Sequence, residues 1–162
     1  MIKMTGSVCI DAPVEKVWAV LSELEAIPRW VPAIQHARCP EQRRGVGASR
    51  ICELKQATIL ETIIEWDEGK SFRYRGEGAP MMKSASNLWS VEAHGATQTL
   101  VTSTAEVEFK GGVFGRLLEP LAGVLFKRMG ASSLASLKYL VENGHPFAGP
   151  ARDLPLAAAV CV

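Results

Sequence analysis

A single long helical pattern, from Gly111 to Gly144, constrains the fold more than any other part of the chain. At about 1.5 Å per residue, a helix of ~30 residues measures ~45 Å, which is longer than packing in a domain of this size requires. Such a helix lies across a partner, and the only large partner that the rest of the sequence offers is a sheet. Its apolar residues recur at helical spacing on one side, at Phe114, Leu118, Leu121, Leu125 and Met129.

The middle of this helix has few large side chains. Pro120 predicts a kink or a helix start, because it lacks a backbone donor and clashes with the carbonyl four residues back. Gly123, Gly130 and the small residues at 131–133 offer little to pack. This composition is typical of a helix that covers a cavity, although a kinked core helix is the simpler interpretation. Gly144 is expected to provide the left-handed cap at the end.

Most of the chain before this helix has the pattern of β-strands. Two short helices interrupt that pattern, one that begins around Pro13 and one over Leu24–Trp30. The order of strand, helices, six strands and long helix predicts an α+β fold, with a curved seven-stranded antiparallel sheet wrapped around the last helix. We expect one domain over residues 1–144 and a tail rich in Pro and Ala over 145–162. The predicted strands are Ile2–Ile10, Ile34–Cys39, Ala48–Leu54, Thr58–Trp66, Ser71–Gly76, Lys83–Ala93 and Thr97–Phe109.

Composition excludes several classes of function. The net charge of +1 gives no reason to expect nucleic acid or an anionic membrane as a partner. The four cysteines lack the spacing of a zinc site, so we expect neither a metal nor another cofactor. No secretion signal precedes the first strand, and no apolar run is long enough to span a bilayer. These features predict a cytoplasmic protein with reduced thiols and no stable membrane insertion.

The segment IDAPVEKVWAVLSELEAIPRWVPAI, from Ile10 to Ile34, resembles the opening of the SRPBCC superfamily. This is the START-like, birch-pollen-allergen-like helix-grip group, and the resemblance includes its polyketide cyclase/dehydrase branch. It covers nearly the whole chain, from Lys3 to Asn143. The residues that carry it are Ala12-Pro13, Val17-Trp18, Trp30-x-Pro32, Gly45-x-Gly47, Glu61, Glu65-Trp66-Asp67, Phe109 to Gly112, Ser133-Leu134 and Leu137-Lys138.

The resemblance implies a deep, mostly apolar cavity between the sheet and the last helix, suited to lipids, sterols, polyketides or other hydrophobic molecules. Some members of the superfamily are cyclases, aromatases or dehydratases. The expected partner is therefore a small hydrophobic molecule. The residues that we expect to contact it are Trp30, Glu61, Tyr74, Met81, Met82, Trp89, Leu118, Leu121, Leu125 and Met129.

Catalytic patterns are scarce in this sequence. The three histidines are scattered, and no nucleophile elbow, P-loop or zinc-protease pattern is present. Glu61 is the candidate acid or base, because it sits in an otherwise apolar strand, where an inward position would desolvate it. An outward Glu61 on a solvated face is the alternative. Whether the side chain faces the cavity or solvent is equally open for five other strand residues, Arg50, Arg75, Tyr74, Asn87 and Thr102.

Three functions remain. The first is a binding module that holds a small hydrophobic ligand. The second is an enzyme of the polyketide cyclase/dehydratase type, which would orient a ketone-rich chain and supply one or two proton-transfer groups. The third is an interaction protein that has no ligand and uses an exposed sheet face. The contents of the cavity distinguish them, because converging polar groups favour the enzyme and a smooth apolar cavity favours the binder.

Overall fold

The computed structural model describes residues 1–155 and 157–162, except for the side chains of Phe114, Arg116 and Leu118. Its seven strands form one antiparallel sheet in the order β1-β7-β6-β5-β4-β3-β2. This confirms the predicted α+β architecture. The strands are β1 (Ile2–Ile10), β2 (Ile34–Arg38), β3 (Ser49–Leu54), β4 (Thr58–Asp67), β5 (Ser71–Glu77), β6 (Met82–His94) and β7 (Gln98–Phe109).

Two short helices connect β1 to β2, as predicted. The first, α1 (Val14–Leu21), buries Val17, Trp18 and Leu21, because their spacing places them on one helical face. The second is a 3-10 helix over Leu24–Arg29. Together these helices close one end of the core.

The long helix α2 (Gly112–Asn143) continues through Pro120, so a helix start at that residue is excluded. It ends at Gly144, whose φ of 78° and hydrogen bond to Leu140 confirm the predicted left-handed cap. Its second half packs against β1, where Leu134 lies close to Gly6. The buried residues of this half are Leu134, Leu137, Leu140 and Val141. Its first half leaves large apolar side chains exposed.

The last residues of the chain return to β1. Cys161 forms a disulfide with Cys9, which differs from the expectation that the thiols are all reduced. The backbone N–H of Cys9 also donates to the carbonyl of Ala158 at 2.8 Å. The other two cysteines, Cys39 and Cys52, are free and buried. None of the helices described here is long and apolar enough to cross a membrane.

Candidate functional site

A polar cluster lies on the inner face of the sheet, centred on Arg50 and Glu61. Arg50 on β3 is directly opposite Glu61 on β4 in the strand register, so both side chains point to the same face. The guanidinium Nε donates to the Glu61 carboxylate at 2.5 Å. Only 1% of the Arg50 side chain and 10% of the Glu61 side chain are exposed. The two charges therefore compensate each other inside the protein.

Strand alternation brings the pair inward. Arg50 lies between Ala48 and Cys52 at alternate positions of its strand, and all three are buried. Glu61 stands in the same relation to its buried neighbour Ile63. Each charged residue therefore occupies a position whose neighbours on the same face belong to the core. Of the two faces considered for Glu61, the structure shows the inner one.

Arg50 is held from three sides. Besides its bond to Glu61, its Nη1 donates to the backbone carbonyl of Leu24 in the 3-10 helix at 3.3 Å. Its guanidinium also lies 5.1 Å from the centre of the Tyr74 ring, within the range of a cation–π contact. Burial alone would lower the pKa of Arg50, but the Glu61 carboxylate, followed by Tyr74 and Cys52, raises it above its usual value. The guanidinium therefore remains charged and fixed in direction.

Three buried donors on the inner face form no hydrogen bond with the part of the chain that the structure describes. They are Arg50 Nη2, Trp30 Nε1 and Trp89 Nε1. The rings of Trp30 and Trp89 meet edge to face, with their centres 5.1 Å apart. A buried donor without a partner costs about 1–3 kcal/mol. A bound molecule with acceptor oxygens would recover that cost.

Tyr74, Asn87 and Ser103 continue the polar cluster across β5, β6 and β7. Tyr74 and Asn87 are directly opposite each other in the sheet. Ser103 donates to Asn87 Oδ1 at 3.0 Å. Burial, followed by the Glu61 carboxylate, raises the pKa of the Tyr74 phenol. Tyr74 is therefore protonated at neutral pH, where its hydroxyl can donate a hydrogen bond and does not act as a base.

Cys52 borders the cluster without being reactive. Its Sγ lies 3.6 Å from Glu61 Oε2. Burial first, and then the Glu61 carboxylate, raise the pKa of the Cys52 thiol to about 12. Because the thiolate is the nucleophilic form, this cysteine is excluded as a nucleophile at neutral pH.

The inner face beside the cluster carries small residues. Gly76 on β5, Ala85 on β6 and Ala105 on β7 remain partly exposed, although they point to the same side as the core. A Cβ added at Gly76 would meet only ordinary contacts, the nearest at 3.6 Å from Ile59. This part of the inner face is therefore partly open to solvent, and the space over it, on the side that faces α2, is called the groove below.

A cleft of about 250 Å³ opens between residues 31–33, which follow the 3-10 helix, and α2. It is mostly apolar, and Met129, Ser132 and Ser133 of α2 lie on one side of it. The small residues in the middle of the helix therefore border open space here, but the described lining includes no residue of the sheet, so the cavity expected between sheet and helix stays a prediction. Val31, Pro32, Ala33 and Arg128 complete the lining.

The structure brings only some of the predicted contact residues together. Trp30, Glu61, Tyr74 and Trp89 cluster around Arg50, and Met129 lines the cleft. The remaining described residues lie elsewhere. Met81 is exposed in the β5–β6 loop at a φ of 62°, Met82 begins β6 opposite Phe109, and Leu121 and Leu125 are exposed on α2. The side chain of Leu118 lies outside those that the structure describes.

Arg50, Asn87 and Ser103 are the site residues that the sequence did not select. Arg50 and Asn87 were open choices between two faces, and their apolar neighbours at alternate positions were the available signal. Of the three other open choices, Tyr74 points inward and contacts Arg50, whereas Arg75 and Thr102 point outward. Arg75 pairs with Glu77 at 3.2 Å, and Thr102 bonds to Ser7 at 3.0 Å across the outer face.

The curved antiparallel sheet, the two short helices after its first strand and the long last helix define a START-like helix-grip protein. Comparison with protein families identifies it further: the chain belongs to the family described as "Polyketide cyclase / dehydrase and lipid transport", which matches residues 1–142. No curated protein matches the sequence significantly.

Solved structures share this fold at low sequence identity. A START superfamily protein from Mycobacterium smegmatis is 19% identical, with a TM-score of 0.70, over 87% of this chain and 97% of that one. The ZhuI aromatase/cyclase from Streptomyces sp. R1128 is 15% identical, with a TM-score of 0.76, over 88% and 94%. A protein from Thermus thermophilus is 21% identical, with a TM-score of 0.73, over 88% and 99%.

Proposed function

We propose that the protein binds a small hydrophobic molecule with an oxygen-bearing end in the groove between the inner face of the sheet and α2. The observation that carries this proposal is the buried Arg50–Glu61 pair with its unpartnered Arg50 Nη2. A purely structural ion pair would have its remaining donors satisfied by the protein. In this protein Arg50 Nη2 forms no hydrogen bond with a described residue, and the inner face of the same sheet is partly open to solvent at Gly76, Ala85 and Ala105.

The composition of the groove determines the kind of ligand. Gly76, Ala85 and Ala105 supply a shallow apolar floor. Arg50, Trp30 and Trp89 supply donors without matching acceptors. A ligand that complements this arrangement has an apolar body and a carbonyl, carboxylate or enolate end.

Native mass spectrometry of the purified protein, followed by organic extraction, tests for a bound molecule. Thermal shift with matched pairs of compounds, such as a fatty acid and the alkane of the same length, tests the role of the oxygen end. The acid is expected to raise the melting temperature more than the alkane does. The proposal fails if nothing co-purifies and no compound with an oxygen end shifts the transition.

Variants of the donors sharpen this test. Trp30→Phe removes one unpartnered donor and keeps most of the ring volume, so it should weaken binding about fivefold, the effect of one hydrogen bond. Tyr74→Phe should also weaken binding if the phenol contacts the ligand. Tyr139→Phe is the matched control, because Tyr139 packs against His145 and Phe147 at the far end of α2.

The polar cluster also favours a second function, an enzyme of the polyketide cyclase/dehydratase type. The ZhuI structure with the same fold is an aromatase/cyclase. In this chain Tyr74 would donate a proton, Arg50 would stabilise a developing enolate oxygen, and Glu61 would accept a proton once substrate displaces its partner. Glu61→Gln is expected to abolish turnover of a poly-β-ketone substrate at a temperature where circular dichroism shows that the variant is still folded. Unchanged turnover would remove Glu61 from the mechanism.

A further inference from the structure

The first half of α2 exposes an apolar stripe to solvent. We call the residues Val113, Leu117, Leu121 and Val124 the outer stripe. Their exposed fractions are 74%, 71%, 75% and 53%. Single exposed apolar residues are common on protein surfaces, but a contiguous group of them marks an interaction surface.

Helix geometry places the outer stripe away from the sheet. At ~100° per residue, its four members fall within an arc of ~80°. Phe126 lies about 180° from the centre of that arc, and it stacks on Phe109 of β7 with ring centres 6.3 Å apart. The core residue Leu137 lies ~160° from the same centre. The outer stripe therefore neither packs in the core nor covers the groove.

Basic residues accompany the outer stripe. Lys110, Lys127 and Arg128 are exposed, and none forms a salt bridge with a residue that the structure describes. Arg128 falls within the arc of the stripe, and Lys127 lies at its edge. Glu119 is the only acidic residue in the sequence from Lys110 to Val141, and the N-terminal amine of Met1 binds its carboxylate at 3.0 Å. This surface is therefore positively charged, although the net charge of the whole chain is only +1.

We propose that the first half of α2 docks on an anionic lipid surface, with the outer stripe in the interfacial region and Lys127 and Arg128 against the headgroups. An exposed apolar face with adjoining cations is the composition of helices that lie in the plane of a membrane interface. A second copy of this chain fits less well, because symmetric pairing through the outer stripe would bring the same cations together. The outer stripe lies outside the groove, although Arg128 beside it also lines the cleft next to α2, and the proposal does not depend on what the groove binds.

Vesicle co-sedimentation tests the proposal on the full chain. Vesicles of phosphatidylcholine alone are compared with vesicles of phosphatidylcholine and phosphatidylserine in a ratio of about 2:1. The protein is expected to sediment with the mixed vesicles and much less with the neutral ones. Higher salt should reduce this binding, because it screens the interaction of Lys127 and Arg128 with the lipid. Failure to sediment with the mixed vesicles overturns the proposal.

Two pairs of variants separate the apolar and electrostatic contributions. The double substitution Lys127→Gln and Arg128→Gln should weaken binding about 30-fold, whereas the same change at Lys16 and Lys55, exposed elsewhere, should leave it unchanged. Leu117→Gln with Leu121→Gln should weaken binding at least about tenfold, whereas Val46→Gln, 60% exposed elsewhere, should not.

These substitutions lie at exposed positions, so thermal unfolding should show little change. The proposal is wrong if the variants at Lys127, Arg128, Leu117 and Leu121 bind the mixed vesicles as tightly as the unchanged protein. It is also wrong if sedimentation velocity shows a dimer that the Leu117 and Leu121 substitutions dissociate while vesicles show no binding. That result would assign the outer stripe to a second copy of the chain.

Discussion

The guanidinium of Arg50 and the carboxylate of Glu61 meet at 2.5 Å on adjacent strands, and both side chains are almost completely buried. Two charges removed from water are tolerated only while each compensates the other. The same pair also leaves Arg50 Nη2 without a partner. Stability and the proposed ligand binding therefore involve the same two residues, and experiments must separate the two effects.

Removal of Glu61 should destabilise the fold strongly. Glu61→Ala leaves the charged Arg50 buried and unpaired, so the free energy of unfolding should fall by about 3–5 kcal/mol. Urea denaturation measures the change. A loss below about 1 kcal/mol would show that Arg50 finds water or another partner in the folded state.

Glu65→Ala is the matched control for Glu61→Ala. Glu65 lies on the same strand and pairs with Arg73 at 3.0 Å, but 60% of its side chain is exposed. Because solvent screens such a pair, the substitution should cost less than about 1 kcal/mol. The contrast between the two glutamates measures the effect of burial on otherwise similar ion pairs.

The sequence predicted the fold well because its signals are local and repeat along the chain. Alternation in β7, the spacing of α1 and the Gly144 cap each occur within a few residues, and the structure agrees with them. The resemblance carried by the Ile10 to Ile34 segment added the arrangement of these elements. Family and fold are therefore confirmed together.

The site was predicted less completely because it depends on which residues from different strands come together. The choice of face for Arg50 required the alternation of β3, and its partner required the register between β3 and β4. The helical spacing predicted that Leu121 and Leu125 lie on the apolar side of the long helix, but both are exposed. Periodicity identifies an apolar side of a helix, but it does not identify what that side contacts. The disulfide between Cys9 and Cys161 joins residues 152 positions apart, so no local sequence pattern predicted it.

The carboxylate of Glu68 should make stability depend on pH in the acidic range. Hydrogen bonds from Arg44, Trp18 and Trp66 lower the pKa of Glu68 to about 2. Because the unfolded value is about 4.3, the ionised carboxylate favours the folded state at pH values above it. That contribution is lost as the pH falls towards 2.

Comparison of the protein with Glu68→Gln measures this effect. The difference in melting temperature should be largest near neutral pH and should shrink as the pH falls from about 5 to about 2. A constant difference over that range would show that the charge is unimportant. Glu23→Gln, at an exposed position that forms none of the observed salt bridges between described residues, serves as the control.

Reduction of the Cys9–Cys161 disulfide should loosen the C-terminal tail and lower stability. The cross-link closes a very long loop, so its loss should cost about 5 kcal/mol in the chain-entropy account. Residues 145–162 should then exchange their amide hydrogens faster. Melting with and without a reducing agent measures the first effect, and hydrogen exchange measures the second.

The double substitution Cys9→Ser and Cys161→Ser provides the control for reduction. It should match the reduced protein and respond no further to the reducing agent. A large additional response would assign the effect of reduction to Cys39 or Cys52, the two buried thiols.

Filling the groove should block ligand uptake without unfolding the protein. Ala105 points to the inner face opposite Asn87 and is partly exposed, so Ala105→Leu adds apolar volume where the sheet is not tightly packed. Thr104→Leu, on the outer face of the same strand opposite Thr5, is the control. Ala105→Leu should abolish the thermal shift produced by a compound that binds the unchanged protein, while Thr104→Leu should retain it. If both variants respond like the unchanged protein, the ligand binds elsewhere. If Ala105→Leu alone is destabilised by more than about 3 kcal/mol, this part of the sheet is packed after all, because overpacking of a filled core has that cost.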